Sequence, residues 1–148
     1  MTRIRRILHP SDFSRASRAA FDRAVQMAKT DRAELLIVHV LAPIMPLPPE
    51  GYISPKLYED LDTASRSAAA KHLATLVARA KKTGVKATTA ILEGVPAEQI
   101  ARAAKSRRAD MVVIGTHGRT GLSRLFLGSV ASRVVAIAPC PVLTVRGR

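Results

Sequence analysis

The sequence predicts an α/β fold: a parallel sheet with helices on both faces. Three observations carry this reading. Strand-like apolar runs alternate with helix-like periodic segments along the whole chain, in the order β-α-β-α-β-α-β-α-β. Such alternation implies parallel strands joined by right-handed crossovers. Two of the runs, Glu34 to Leu41 (ELLIVHVL) and Met111 to Gly115 (MVVIG), are nearly continuous in apolar residues, as strands covered on both faces should be. Finally, 47% of the chain is hydrophobic while only 3% is aromatic, so the core between these layers must be aliphatic.

The elements follow in order. Ile4 to His9 is a short first strand ended by Pro10. Ser14 is a helix N-cap by residue type, and Ala20, Phe21, Ala24, Val25 and Ala28 form the apolar stripe of the helix after it. Strand two is Glu34 to Leu41. Residues 43–56 hold five prolines and one glycine, which excludes a regular element. A long helix from Leu57 to Lys82 follows, with Leu61, Ala64, Ala68, Leu76 and Ala80 near one side and Gly84 as its stop. Strand three is Lys86 to Leu92. Pro96 opens a helix that ends near Arg108. After strand four, Met111 to Gly115, a glycine-rich loop runs to Gly128. A helix then starts at Ser129 and stops before Pro139, and Pro141 to Arg146 is the last strand.

The length of 148 residues suits a single domain spanning 1–148, and a domain of that size buries roughly 70% of its unfolded surface. The lone cysteine, Cys140, excludes a disulfide framework and a multi-cysteine metal site; between two prolines it reads as a small buried hydrophobe. No apolar run approaches the ~18 residues of a membrane span, and no signal-peptide core follows the basic N-terminus. A cytoplasmic protein with no membrane partner is expected. The net charge of +13 attracts anions of any kind. The basic residues are spread widely along the chain, however, with no aromatics interleaved for base stacking. Nucleic acid is therefore not the expected partner, and a nucleic-acid-associated basic protein stands only as an alternative.

In open α/β sheets, ligands bind outside the carboxyl ends of the strands, at a switch point in strand order. That rule selects Pro10 to Ser14, Val40 to Pro43 and the segment from Gly115 onward. The last of these reads GTHGRTGLSRLFLGSV over residues 115–130. Its glycines let a ligand approach the backbone and let several N–H groups face one anion. Gly128, Ser129 and Val130 open a helix, where free N–H groups and the dipole favour phosphate, and Ser129 can serve as N-cap. Arg119 and Arg124 add positive charge. The patterns GxxxxGK[ST] and GxGxxG are both absent, so a P-loop or NAD site is not supported.

The spacing Gly115-x2-Gly118-x9-Gly128-Ser129 resembles the nucleotide-binding signature of universal stress proteins. HPSDFS at 9–14, IVHV at 37–40, ADMVVIGTHGRTGL at 109–122 and APCPVLTVR at 138–146 are similar to the same family, so the resemblance covers essentially the whole chain. It implies a three-layer α/β/α, Rossmann-like domain of the adenine nucleotide alpha hydrolase-like type, with strand order 3-2-1-4-5. It also implies a homodimer through the last strand (141–146) and binding of ATP or another adenine nucleotide, with Mg as a possible companion. Carried over by motif, Asp12 hydrogen-bonds the ribose or lies close to the adenosine, Pro10 and Ser11 beside it belong to the nucleotide site, and Val40 packs against the adenine region. Gly115, His117, Gly118 and Arg119 bracket the ribose and phosphates, and Gly128, Ser129 and Val130 complete the phosphate cradle.

Other readings of these residues are kept beside it. Asp12 also suits a capping role for the helix that it precedes, and His39, inside an apolar strand, reads as a core histidine. No catalytic residue is assigned. The sequence offers no carboxylate pair or Walker-type companion for phosphoryl transfer, so enzyme activity is limited to slow ATP hydrolysis or nucleotidyl transfer, with Asp12 as the one nearby carboxylate.

Overall fold

The protein's structure, a computed structural model, describes residues 3–44, 53–117 and 127–147. Nine elements follow in chain order: β1 (Arg6–Pro10), α1 (Arg15–Asp31), β2 (Glu34–Leu41), α2 (Pro55–Lys82), β3 (Ala87–Glu93), α3 (Pro96–Ser106), β4 (Met111–Gly115), α4 (Ser129–Ile137) and β5 (Val142–Val145). The five strands form one sheet of order β3-β2-β1-β4-β5, with every neighbouring pair parallel. Most boundaries agree with the sequence reading within two residues. The first strand departs in a useful way: it includes Pro10, which pairs with Val38. As the last residue of the strand Pro10 loses little by lacking an N–H, and Ser11 resumes the ladder by donating its N–H to the Val38 carbonyl at 2.8 Å.

The helices close the sheet from both sides. Ala20, Phe21, Ala24 and Ala28 of α1, with Leu73, Leu76 and Ala80 of α2, pack over Ile7, Leu35, Ile37 and Val113. On the opposite face, Ala97, Ile100, Ala103 and Ala104 of α3, with Ala131 and Val134 of α4, cover Leu8, Val38, Val112 and Ile114. Apart from Phe21, its largest fully buried side chain, and the fully buried His9, the core is aliphatic. The α2 stripe differs from the one read in the sequence. Leu61, Ala64 and Ala68 are exposed, and the buried stripe is Ala69, Leu73, Leu76 and Ala80. Only the second half of this 28-residue helix lies on the sheet, so the periodicity of the first half has no surface to answer to.

The start of α1 is built as the sequence predicts, whereas α2 begins at Pro55, inside the segment from which a regular element was excluded. The Ser14 hydroxyl accepts from Ser17 N–H at 3.2 Å and caps α1. Ser54 does the same for Leu57 in α2, with Pro55 at the first helical position. Gly84 follows α2 at φ +85°, a left-handed conformation that glycine adopts freely.

Candidate functional site

At the carboxyl ends of β1, β2 and β4 lies a cavity of about 340 Å³. Its position follows from the strand order: β1 and β4 are neighbours where the chain, having built β2 and β3 on one side, crosses to the other. The turns leaving β1 and β4 therefore diverge, and a crevice opens between them.

The turn after β1 supplies Pro10, Ser11 and Asp12 to the wall. It is tightly specified. Asp12 Oδ1 accepts from Ser14 N–H at 2.9 Å, the Ser11 hydroxyl accepts from Phe13 N–H at 3.2 Å, and the Ser17 hydroxyl donates to the Ser11 hydroxyl at 2.9 Å. Asp12 thus shapes the entry to α1, while Ser14 is the N-cap proper. Phe13 holds φ +64°, uncommon for a bulky side chain and costing about 1 kcal/mol. Its ring is stacked between His39 at 4.5 Å and His72 at 4.6 Å, centroid to centroid. Two such contacts, each of about 0.5–1.5 kcal/mol, offset the backbone cost.

His39 corrects the sequence reading. It is half-buried and lines the cavity, donating through Nδ1 to the Ser11 carbonyl at 2.7 Å. The true core histidine is His9. It is fully buried, and desolvation lowers its pKa from 6.5 to about 4 against the opposing pull of the Val113 carbonyl, Asp12 and Asp22. Its Nδ1 lies 2.9 Å from the Val113 carbonyl oxygen, which makes Nδ1 the donor of the neutral ring. Nε2 has no hydrogen-bond partner among the described residues.

From β4 and α4 come Ile114, Gly115, Thr116 and His117, then Gly128, Ser129, Val130 and Ala131. Gly128, not Ser129, is the N-cap of α4, and among the described residues no side chain caps it. Ser129 is the first helical residue, so the opening N–H groups of α4 have no intrahelical acceptor and sit at the positive end of the helix dipole. Gly128 N–H donates to the Thr116 carbonyl, which ties the helix start to the end of β4. The glycines here answer to a different constraint from the one inferred. Gly128 has φ −58°, and a Cβ on it would lie 2.7 Å from the Thr116 carbonyl oxygen. A Cβ on Gly115 would lie 2.9 Å from the Ala16 carbonyl. Both are glycines because the chain's own backbone passes close by.

Val40, Pro96, Ile100, Ile114 and Ala131 give the cavity its apolar surface. Nine residues selected from the sequence, Pro10, Ser11, Asp12, Val40, Gly115, His117, Gly128, Ser129 and Val130, line this one cavity. Gly118 and Arg119 lie outside the described residues. Sequence reasoning missed Ser17, Pro96, Ile100 and Ala131, which reach the cavity from helices rather than strand ends. It also missed Ile114 and Thr116, which sit beside chosen residues. Among the described residues no three His, Cys, Asp or Glu side chains come together as a metal site. Cys140 is half-buried rather than buried, and desolvation raises its thiol pKa.

A parallel 3-2-1-4-5 sheet with its cavity at the switch point defines a Rossmann-like α/β protein. The universal stress protein family matches residues 3–146, and the chain belongs to that family. The universal stress protein MJ0531 of Methanocaldococcus jannaschii is 40% identical over 96% of this chain and 82% of its own length. The universal stress protein YxiE of Bacillus subtilis is 33% identical over 91% and 94%. Among solved structures, UspA from Lactobacillus plantarum superposes with a TM-score of 0.84 at 29% identity, covering 99% of this chain and 100% of that one. The same fold recurs in a family member from Arabidopsis thaliana with AMP bound, at TM-score 0.70, 22% identity and coverage of 97% and 92%. It recurs too in the universal stress protein from Archaeoglobus fulgidus in complex with dAMP, at 0.63, 22%, 98% and 99%. Among the described residues no helix is long and apolar enough to cross a membrane.

Proposed function

We propose that this chain binds an adenine nucleotide, ATP foremost, in the cavity at the carboxyl ends of the strands, and acts as a regulatory stress-response protein rather than an enzyme. One observation carries the reading. Segments separated by up to 120 residues of chain, from Pro10 to Val130, converge on a single cavity of about 340 Å³, within the roughly 300–1,000 Å³ usual for small-molecule sites. The AMP and dAMP relatives share the fold at low identity; the ligand class rests on the chemistry of this cavity.

The fit is good at each part. The apolar wall of Val40, Ile100 and Ile114 suits a purine face. Asp12, held in its turn, is a carboxylate acceptor for ribose hydroxyls. The uncapped start of α4 presents backbone N–H groups to phosphate, and Gly118 and Arg119 belong to the same loop in sequence. Magnesium, where it accompanies the nucleotide, would be held chiefly by phosphate oxygens. The chain works in the cytoplasm as a single domain, dimeric through β5, whose outer edge is otherwise open to pairing. A monomeric sedimentation profile at micromolar concentration counts against the dimer.

The test of the site separates binding from folding. Ser129→Asp places a negative charge at the first position of α4, where the dipole favours it, so the variant should keep its thermal stability. The same charge repels phosphate, and calorimetric titration with Mg·ATP should show affinity weakened at least about tenfold, or ~1.4 kcal/mol. Unchanged affinity in this variant would remove the phosphate cradle from α4. Nucleotide released from the purified, denatured wild-type protein and resolved by chromatography identifies the natural ligand.

A further inference from the structure

The opposite end of the sheet carries a feature that the nucleotide site does not use. Arg3, Arg5 and Arg6 lead into β1, and Lys29 and Arg32 stand between α1 and β2. Lys81, Lys82 and Lys86 stand between α2 and β3, and Lys105, Arg107 and Arg108 between α3 and β4. All are exposed. Eleven of the chain's 24 cations thus share the amino ends of the strands with three of its 11 carboxylates, Asp31, Glu34 and Asp110. Residues that looked scattered along the sequence form one face holding a surplus of eight out of a net +13.

Helix ends do not account for this. Four helices finish at this end, and their C-termini together carry about −2 elementary charges, a quarter of the surplus. Nor do the three carboxylates neutralise it. Asp110 Oδ2 is taken up by the backbone N–H groups of Arg5 and Arg6 at 2.8 and 2.9 Å. Glu34 is bound by Lys86 at 2.8 Å, with Arg6 at 3.9 Å. Among the described residues Arg107 and Arg108 have no carboxylate within 4.0 Å. Arg32 and Arg108 hold φ +54° and +52°, left-handed positions after helices where glycine is the usual occupant. The chain keeps a guanidinium where the backbone favours none.

At the centre of the face is a second cavity, about 460 Å³, lined by Arg6, Glu34, Thr88, Ser106, Arg107 and Arg108 among others. Guanidinium groups beside the Thr88 hydroxyl form a setting suited to phosphate oxygens. The cations follow four adjacent strands, β3-β2-β1-β4, whose outer members are about 14 Å apart. That span compares with the roughly 12 Å between the two backbones across a major groove. Among the described residues, none of the exposed large apolar side chains falls in these four connections, nor does any aromatic residue. The face therefore has nothing to insert into a bilayer and no platform for unstacked bases.

We propose that this amino-end face binds the phosphate backbone of a double-stranded nucleic acid, centred on the cavity at Arg6, Arg107 and Arg108 and without base readout. The test is fluorescence anisotropy of short labelled DNA and RNA duplexes of random sequence, titrated with the full chain between about 50 and 200 mM salt. Wild-type protein should bind with micromolar affinity at the low end and weaken steeply as salt rises. The triple variant K82Q/K105Q/R107Q should lose about tenfold or more, with the salt slope reduced by about three. R15Q/R18Q/R133Q removes the same number of charges from α1 and α4 outside this face, and should stay within about twofold of wild type if position rather than net charge matters. Equal loss in both variants overturns the assignment to this face. Absence of duplex binding at low salt overturns the proposal, as does binding confined to anionic phosphatidylserine vesicles. Binding of DNA alone, RNA alone or both supports it and identifies the source of the phosphates.

Discussion

The two ends of the sheet both face anions in our reading, and they do so by opposite means. At the carboxyl end the positive field comes from the backbone: the start of α4, which Gly128 lets approach the end of β4. At the amino end it comes from side chains, eleven of them, set where four helix C-termini make the backbone field negative. Parallel strands force this division, because every crossover helix begins at one end and finishes at the other. The backbone end gathers its polar groups around one cavity of about 340 Å³, the size of a small-molecule site. The side-chain end spreads its charge along four strands, which suits a repeating polyanion.

Acid should separate the two ends most sharply. The connections at the amino end carry no histidine among the described residues. His9, one residue before the turn that lines the carboxyl-end cavity, is held neutral with its pKa lowered to about 4. Its unfolded form takes up a proton near pH 6.5 and its folded form resists until about 4. The stability that it contributes is complete above pH 6.5 and is lost as the pH falls through that interval, by up to about 3 kcal/mol. Urea melts of wild type and His9→Gln across this range should diverge, with the variant showing the shallower acid slope. Parallel curves would mean that other groups govern acid sensitivity.

Gly115→Ala comes next. Its Cβ would meet the Ala16 backbone carbonyl carbon and oxygen, each at 2.9 Å. Backbone cannot rotate aside, so overpacking should cost about 2 kcal/mol and lower Tm by about 6 °C. An unchanged Tm would show that β4 and α1 separate easily, and that the cavity is less rigid than the contact distances require. The smallest effect belongs to the other end. Lys86→Met removes the ammonium that holds the Glu34 carboxyl below its ordinary pKa. An NMR titration should find that pKa moved upward, with stability barely altered, since exposed ion pairs add little.

The fold was largely legible in the sequence because alternation between two periodicities survives without any knowledge of contacts. Strand order was not legible from the periodicity; it came from the resemblance alone. The site was half legible. Strand ends point to Asp12, Val40 and Gly115 through a general rule about parallel sheets, whereas Ser17 and Ile100 enter the cavity from helical faces that look like ordinary core. Gly115 and Gly128 were chosen for the room they give a ligand, and the structure shows both excused from a side chain by neighbouring backbone. The α2 stripe was misplaced because hydrophobic periodicity cannot say where a helix leaves its sheet. The basic face was invisible for a similar reason. Arg6, Lys29, Lys82 and Arg107 occupy four separate segments, each an unremarkable element end until the sheet lines them up.

Phe13 binds three elements of chain into one strut: it belongs to the turn after β1 and is clasped by His39 from β2 and His72 from α2. A turn so braced has one shape before a ligand arrives. Nucleotide should therefore associate in a single kinetic phase whose rate rises linearly with concentration. Replacing Phe13 with glycine, which suits the same positive φ but clasps nothing, should introduce a slow, concentration-independent step as the turn searches for its bound form.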